Sequence, residues 1–271
     1  MPFTTVNGHT LHYTDLPPTD DASAKLAIIF VHGLGSSQNY YYPVLPALTG
    51  KGFRCVVFDN YLAGRSFKED EWKKDPDTSV AGIGKDIVAL LDQLEIQKAV
   101  VVGYSMGGML PTHLAATNPE RVVAGICIGP VHPSEQVAEV FKQRVPVVQD
   151  GGIETMANTI PYRATGSLAT PLHKAFVREM LLAQDPRGYI ANCKAIEKAT
   201  PPEYAKVKCP ILIVAGEEDK SAPLEGCKLI LGELATGKKQ LEVLKGVGHW
   251  HCVEASEQVA ELVGDFCTGL V

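Results

Sequence analysis

The chain has 271 residues, 45% apolar and 21% charged, which suits one large domain, or a domain with an insertion, built on an ample core. Its formal net charge is −6 and no Lys/Arg cluster forms a stripe, which argues against nucleic acid or an anionic membrane surface as partner. The longest apolar runs, "LAIIFV" and "ILIVA", are strand-length and far too short to span a bilayer. The N-terminus lacks the basic and apolar regions of a signal peptide, and the tail "FCTGLV" is no retention signal. The 7 cysteines are widely spaced, odd in number and free of any C-x-x-C. Together with the absence of an N-x-S/T sequon, this predicts a cytoplasmic protein with reduced thiols.

In chain order, "FTTVNGHTLHYTDL" predicts a hairpin, Thr4–Val6 and Leu11–Tyr13, turning at Asn7-Gly8. "LAIIFVHG" is a buried strand running into a glycine-rich loop. A short helix is expected from about Tyr41 to Thr49, followed by the strand "FRCVVFDN". Ile83, Ile87, Leu90, Leu91 and Leu94 form a helical stripe. "AVVVGYSMGGML" then joins a buried strand to a helix expected from Met106 to about Asn118, stopping before Pro119. Pro111 would kink that helix after its first turn. "RVVAGICIGP" closes this half with another strand.

From Val131 to Tyr204 the alternation stops, and the residues predict several helices inserted between two strands. It resumes with "CPILIVAGEED", a helix, "QLEVLKGVGHW" and a last helix from about Ser256 to Cys267. Strands alternating with helices predict a mostly parallel sheet covered on both faces. An insertion after the strand Val122–Ile128 would lie over the carboxyl ends of the strands, where ligands bind in such sheets.

The chemistry starts at Gly103-Tyr104-Ser105-Met106-Gly107, a G-x-S-x-G on a strand-to-helix turn. The flanking glycines permit a tight turn, because a Cβ there would strike the neighbouring elements. A serine hydroxyl is a weak nucleophile unless a base adjoins it. His249, in the loop after the last strand, stands where the order serine, acid, histidine puts that base. His251 is the reserve candidate and is otherwise expected at the site entrance. Glu217, Glu218 and Asp219 follow the penultimate strand, and Asp219, farthest along the loop, is chosen to hold the imidazole. The backbone N–H groups of Met106 and of Leu34, in "HGLGSS", would stabilise an oxyanion. His32 is expected to brace that loop through backbone bonds. Tyr40, Tyr41, Trp250 and His251 are candidates to contact substrate, and Arg163 or Arg178 of the insertion could clamp a carboxylate. No metal-ligand motif occurs, a dinucleotide fingerprint fails at Ser105, and no cofactor is expected.

"VHGLG", "GYSMGG", "GEED" and "GVGHW", in that order, resemble the α/β-hydrolase superfamily. The resemblance covers a core of residues 1–130 and 205–271, with residues 131–204 where that fold carries a helical cap after its sixth strand. "DPRGYIANCKAIEKA" with the later motifs is similar to the branch of 3-oxoadipate enol-lactonases and related lactonases. Asn60, Leu62 and Ala63 in "DNYLAGRS" depart from the D-x-x-G-x-G-x-S common in the superfamily. The resemblance implies a small lactone or carboxylic ester as substrate, opened by a monomer or homodimer through an acyl-enzyme. Two alternatives stand beside it: C–C bond hydrolysis of a β-diketone-type substrate, and a ligand receptor that keeps a slow triad.

Overall fold

The computed structural model describes residues 2–19 and 24–271. Strands β1 (Phe3–Val6), β2 (His9–Leu16), β3 (Leu26–Val31), β4 (Phe53–Phe58), β5 (Ala99–Tyr104), β6 (Val122–Ile128), β7 (Ile211–Gly216) and β8 (Lys239–Leu244) form one sheet. Their order is β1-β2-β4-β3-β5-β6-β7-β8. β1 and β2 pair antiparallel, β2 pairs antiparallel with β4, and every pairing from β4 to β8 is parallel. The hairpin turns where the residues predict it, with Asn7 at φ 52° and Gly8 at φ 86°. Both residue types tolerate the positive φ that a two-residue turn needs.

Helices α1 (Leu45–Gly50), α2 (Glu69–Lys74), α3 (Val80–Gln93) and α4 (Leu110–Thr117) lie between the first six strands. α5 (Glu135–Ala157), α6 (Ile160–Arg163), α7 (Pro171–Leu182) and α8 (Pro186–Glu197) form the cap after β6. α5 breaks at Gly152, whose φ of 69° and ψ of 179° are not helical. α9 (Leu224–Glu233), α10 (His251–Glu254) and α11 (Ser256–Thr268) complete the chain.

Two expected helices start later than their apolar pattern suggests, and proline is the reason in each. A 3-10 turn, Gln38–Tyr41, is capped by Ser37, and α1 begins only at Leu45 with Pro46 in its first turn. After Ser105 a 3-10 turn, Gly107–Met109, precedes α4, and Pro111 is the second residue of that helix. Pro111 therefore starts a helix instead of kinking one, since a first-turn residue has no intrahelical acceptor to lose.

β5, β6 and β7 are buried along their whole length except for Val123. Their Val, Ile and Leu side chains split into two apolar clusters, one on each face of the sheet. Each such side chain contributes roughly 1.5–3 kcal/mol when fully buried. That is the framework against which a strained turn at the end of β5 must be judged.

Candidate active site

Ser105 directly follows β5 with φ 56°, a left-handed conformation uncommon for a side chain that has a Cβ. Such a residue costs about 1–3 kcal/mol, less than the burial of two neighbouring valines returns. Its backbone is pinned on both sides: Ser105 N–H donates to Ile128 O at 2.9 Å, while Ser105 O accepts from Gly108 N at 2.9 Å and Val131 N at 3.2 Å. The two glycines of the motif are obligatory. A Cβ on Gly103 would strike Gly107 O, and one on Gly107 would strike Val31 O and His32 O.

His249 Nε2 lies 2.9 Å from Ser105 Oγ, and His249 Nδ1 lies 2.7 Å from Asp219 Oδ2. Asp219 is 6% exposed. Burial pushes its carboxyl up, but the facing His249, the hydrogen bond to it, His251 and the Ala222 N–H outweigh that and hold it below the ordinary carboxylate value. Its other oxygen, Oδ1, accepts from Ser221 N at 2.8 Å and Ala222 N at 2.9 Å. An ionised carboxylate can only accept, so His249 Nδ1 carries the hydrogen. The Nε2 lone pair then faces the serine hydroxyl, the tautomer a general base needs.

The glycine loop after β3 runs beside Ser105. A Cβ on Gly33 would come within 2.7 Å of Ser105 Cβ. Among the described residues, neither Leu34 N–H nor Met106 N–H has a protein acceptor. His32 braces this loop from within the core, where it is fully buried. Its Nε2 accepts from Asn60 N–H at 2.9 Å, so its Nδ1 donates to Gly33 O at 2.8 Å. Burial pushes His32 down, in keeping with that neutral form. Asn60, the unusual residue of "DNYLAGRS", also donates from its side chain to His32 O at 3.0 Å, and thus supports the same loop.

The other expected substrate contacts lie elsewhere. Tyr40 and Tyr41 are fully buried. Tyr40 stacks on Tyr104 with ring centroids 4.0 Å apart, and its hydroxyl accepts from Cys252 N–H at 3.2 Å. Tyr41 donates to Val31 O at 2.8 Å. Both are packing residues under the sheet ends, because an apolar core position with one polar partner suits a tyrosine. Trp250 is buried against Tyr40 and Tyr104. His251 is 0% exposed, not at an entrance, and its Nδ1 is 2.7 Å from His249 O. Burial pushes it down to about 4. Arg163 is exposed at the end of the one-turn helix α6. Arg178 is engaged by Asn158 and Glu179 on the cap surface. Arg144, another half-buried arginine of the cap, lies 3.5 Å from the Tyr189 hydroxyl and 4.7 Å from the centre of the Phe141 ring.

Sequence reasoning weighed Glu217 and Glu218 only as alternatives to Asp219, and it overlooked Glu254; all three carboxylates hold backbone amides. Glu217 accepts from Gly246 N at 2.9 Å. Glu218 accepts from Ser167 N at 2.9 Å and Ser167 Oγ at 2.7 Å, tying the cap to the acid loop. Glu254 is buried and accepts from Gly166, Gly248 and Trp250 N–H groups. The available signal for Glu254 was a lone charge in the apolar run Cys252-Val253-Glu254-Ala255, which demands partners. Among the described residues no group of three or more His, Cys, Asp or Glu side chains is placed to hold a metal ion, and no helix is long and apolar enough to cross a membrane.

The alpha/beta hydrolase fold family matches residues 27–256. The chain belongs to that family. It superimposes with a TM-score of 0.86 on the enol-lactonase from Burkholderia xenovorans LB400, at 25% identity over 98% of this chain and 100% of that one. A Caulobacter sp. (strain K31) protein whose name assigns it provisionally to carbamate hydrolysis, RutD, is 28% identical over 92% of each chain. A 2-hydroxy-6-oxononadienedioate/2-hydroxy-6-oxononatrienedioate hydrolase from Paraburkholderia phymatum is 26% identical over 94% of this chain and 90% of its own. The chain is thus a hydrolase by family, with relatives named for an enol-lactone, a carbamate and a hydroxy-oxo dienedioate.

Proposed function

We propose that this hydrolase opens a small lactone or carboxylic ester through an acyl-enzyme on Ser105. The observation that carries the reading is the unbroken relay Ser105–His249–Asp219, at 2.9 and 2.7 Å. His249 Nε2 takes the Ser105 proton as Oγ bonds to the carbonyl carbon. Leu34 N–H and Met106 N–H, without protein acceptors, receive the oxyanion, each worth roughly 10²–10³ in rate. The imidazolium then protonates the leaving oxygen, which in a lactone stays attached to the acyl chain. His249 next deprotonates a water that attacks the acyl-enzyme, and Ser105 leaves with its proton restored. Asp219 holds the imidazole throughout and stays ionised.

The likeness to an enol-lactonase supports a cyclic ester. The relative named as a hydrolase of a 2-hydroxy-6-oxo dienedioate, a compound that carries a ketone, supports a second reading, in which the same serine cleaves a carbon–carbon bond next to that ketone. A panel of lactones, short-chain esters, carbamates and vinylogous diketo acids, with product masses determined and Ser105→Ala as blank, separates them. Ester or lactone turnover that vanishes in Ser105→Ala is expected. Turnover confined to the diketo acids or carbamates would replace the ester reading. Tight binding with no turnover of any of them would make the chain a receptor.

A further inference from the structure

The loop that carries His249 is held in an unusual way. Its three consecutive amides, Gly248, His249 and Trp250, donate to no strand. Gly248 N–H donates to Glu254 Oε2 at 3.0 Å, and Trp250 N–H donates to Glu254 Oε1 at 2.9 Å. His249 N–H donates to Ala164 O of the cap at 2.7 Å. The same Glu254 Oε2 accepts from Gly166 N–H of the cap at 2.7 Å. Leu168 N–H of the cap donates back to Gly246 O at 3.1 Å. The two backbones pass so closely that a Cβ on Gly166 would come within 2.5 Å of Gly246 O and Gly248 N. One on Gly248 would come within 2.6 Å of Thr165 C.

We infer that Glu254 is a positioning residue for His249, and that the cap segment Ala164–Leu168 is half of the mount on which that base sits. The inference rests on the serine-hydrolase reading and extends it. The carboxylate is 6% exposed and grips the amides on both sides of the base at once. A glutamine there keeps the shape but turns an N–H₂ toward an N–H donor, so one grip becomes a repulsion. The imidazole would then wander from the Ser105 hydroxyl, and displacement of about 1 Å in such a group costs on the order of 10²-fold in rate. The cap, in this view, shapes more than the substrate pocket, because its backbone supplies a partner to the base's own amide.

The experiment compares Glu254→Gln, Gly166→Ala, their double variant and the exposed control Glu257→Gln in the full chain. Active sites are counted with a serine-directed phosphonate, and kcat is expressed per titrated site on an ester that the wild type hydrolyses. The expected result is a fall in kcat of about 10²-fold for Glu254→Gln and about 10-fold for Gly166→Ala. KM should stay within about threefold, the double variant should lose less than the product of the two, and Glu257→Gln should match the wild type. A kcat per titrated site within about threefold of wild type in Glu254→Gln overturns the inference, whatever happens to its melting temperature. Gly166→Ala attacks the same mount from the cap side, so the test survives if Glu254→Gln does not fold. Amide hydrogen exchange on the wild type needs no substrate: Gly248, His249 and Trp250 should be protected as strongly as β7. Exchange as fast as an exposed loop also overturns the inference. Wild-type inertness toward esters would count against the proposed reaction and leave this exchange result standing.

Discussion

Ser105 and His249 meet at 2.9 Å, yet they are held by different kinds of structure. The serine is mounted by its own neighbourhood. Gly103, Gly107, the end of β5 and the carbonyl of Ile128 in β6 define a turn whose rules are backbone sterics. The histidine has no such mount. Its amides are held by Glu254 and Ala164, its ring by Asp219, and the loop before it by Glu217. A serine that must sit in a strained conformation is best placed at the end of a rigid interior strand. The imidazole of His249 is instead aimed by bonds from two distant stretches, Ala164–Gly166 and Glu217–Asp219, and from Glu254 a few residues on.

This contrast can be broken or sharpened by substitution. Ser105→Ala should abolish ester hydrolysis by about 10⁶-fold in kcat while leaving the melting temperature almost unmoved; a residual rate within about 10²-fold of wild type would remove the serine from the reaction. Asp219→Asn should keep the site's shape but favour the wrong imidazole tautomer, lowering kcat about 10⁴-fold. A loss of less than about tenfold would show that the loop's other bonds suffice to aim His249. Gly107→Ala tests the serine's mount. Its Cβ would meet backbone oxygen of β3 and His32, which cannot rotate away, so a loss of about 3 kcal/mol or more in unfolding free energy is expected from denaturant curves. Unchanged stability would mean that the elbow is looser than its contacts imply.

Two smaller effects probe what lies behind the base. His251 binds a proton in the folded chain only near pH 4, because burial pushes it down, whereas unfolded histidine does so near 6.5. Between those values the unfolded state holds the extra proton, so stability should fall as the pH drops from about 6.5 to 4. The full effect is about 3 kcal/mol for this group, and His251→Asn should reduce the slope by about one proton. An identical slope in the variant would refute the assignment. Tyr40→Phe removes a hydroxyl that accepts one amide hydrogen. It should cost about 1–2 kcal/mol of stability and leave KM unchanged. A raised KM would return Tyr40 to the substrate site, where its position in the sequence had suggested it.

The legible part of the site was the part governed by local rules. The order of strands and helices, the G-x-S-x-G turn and the loop positions of Asp219 and His249 all follow from periodicity, glycine spacing and chain order. His32 was legible as a brace, though its partner Asn60 was noticed only as an oddity. The place of the cap arginines was not legible, because helical segments without strong apolar stripes do not declare which face turns inward. Tyr40, Tyr41 and His251 were misplaced for a related reason. Proximity in sequence to a reactive residue says little about which side of the sheet a side chain enters.

From its residues alone, this chain determines a parallel sheet, a strained serine at the end of one strand, and the loops on which an acid and a base stand. Those features depend on contacts between near neighbours or on alternation, which a linear pattern encodes. The residues favour Asp219 over Glu217 and Glu218 by its place in the loop; only the folded chain decided that its carboxylate reaches the imidazole and that Glu254 and the cap hold the loop of His249. The bonds to Asp219 and to the cap join segments far apart along the chain, and even the nearby Glu254 takes partners set by which amides the surrounding packing leaves without one.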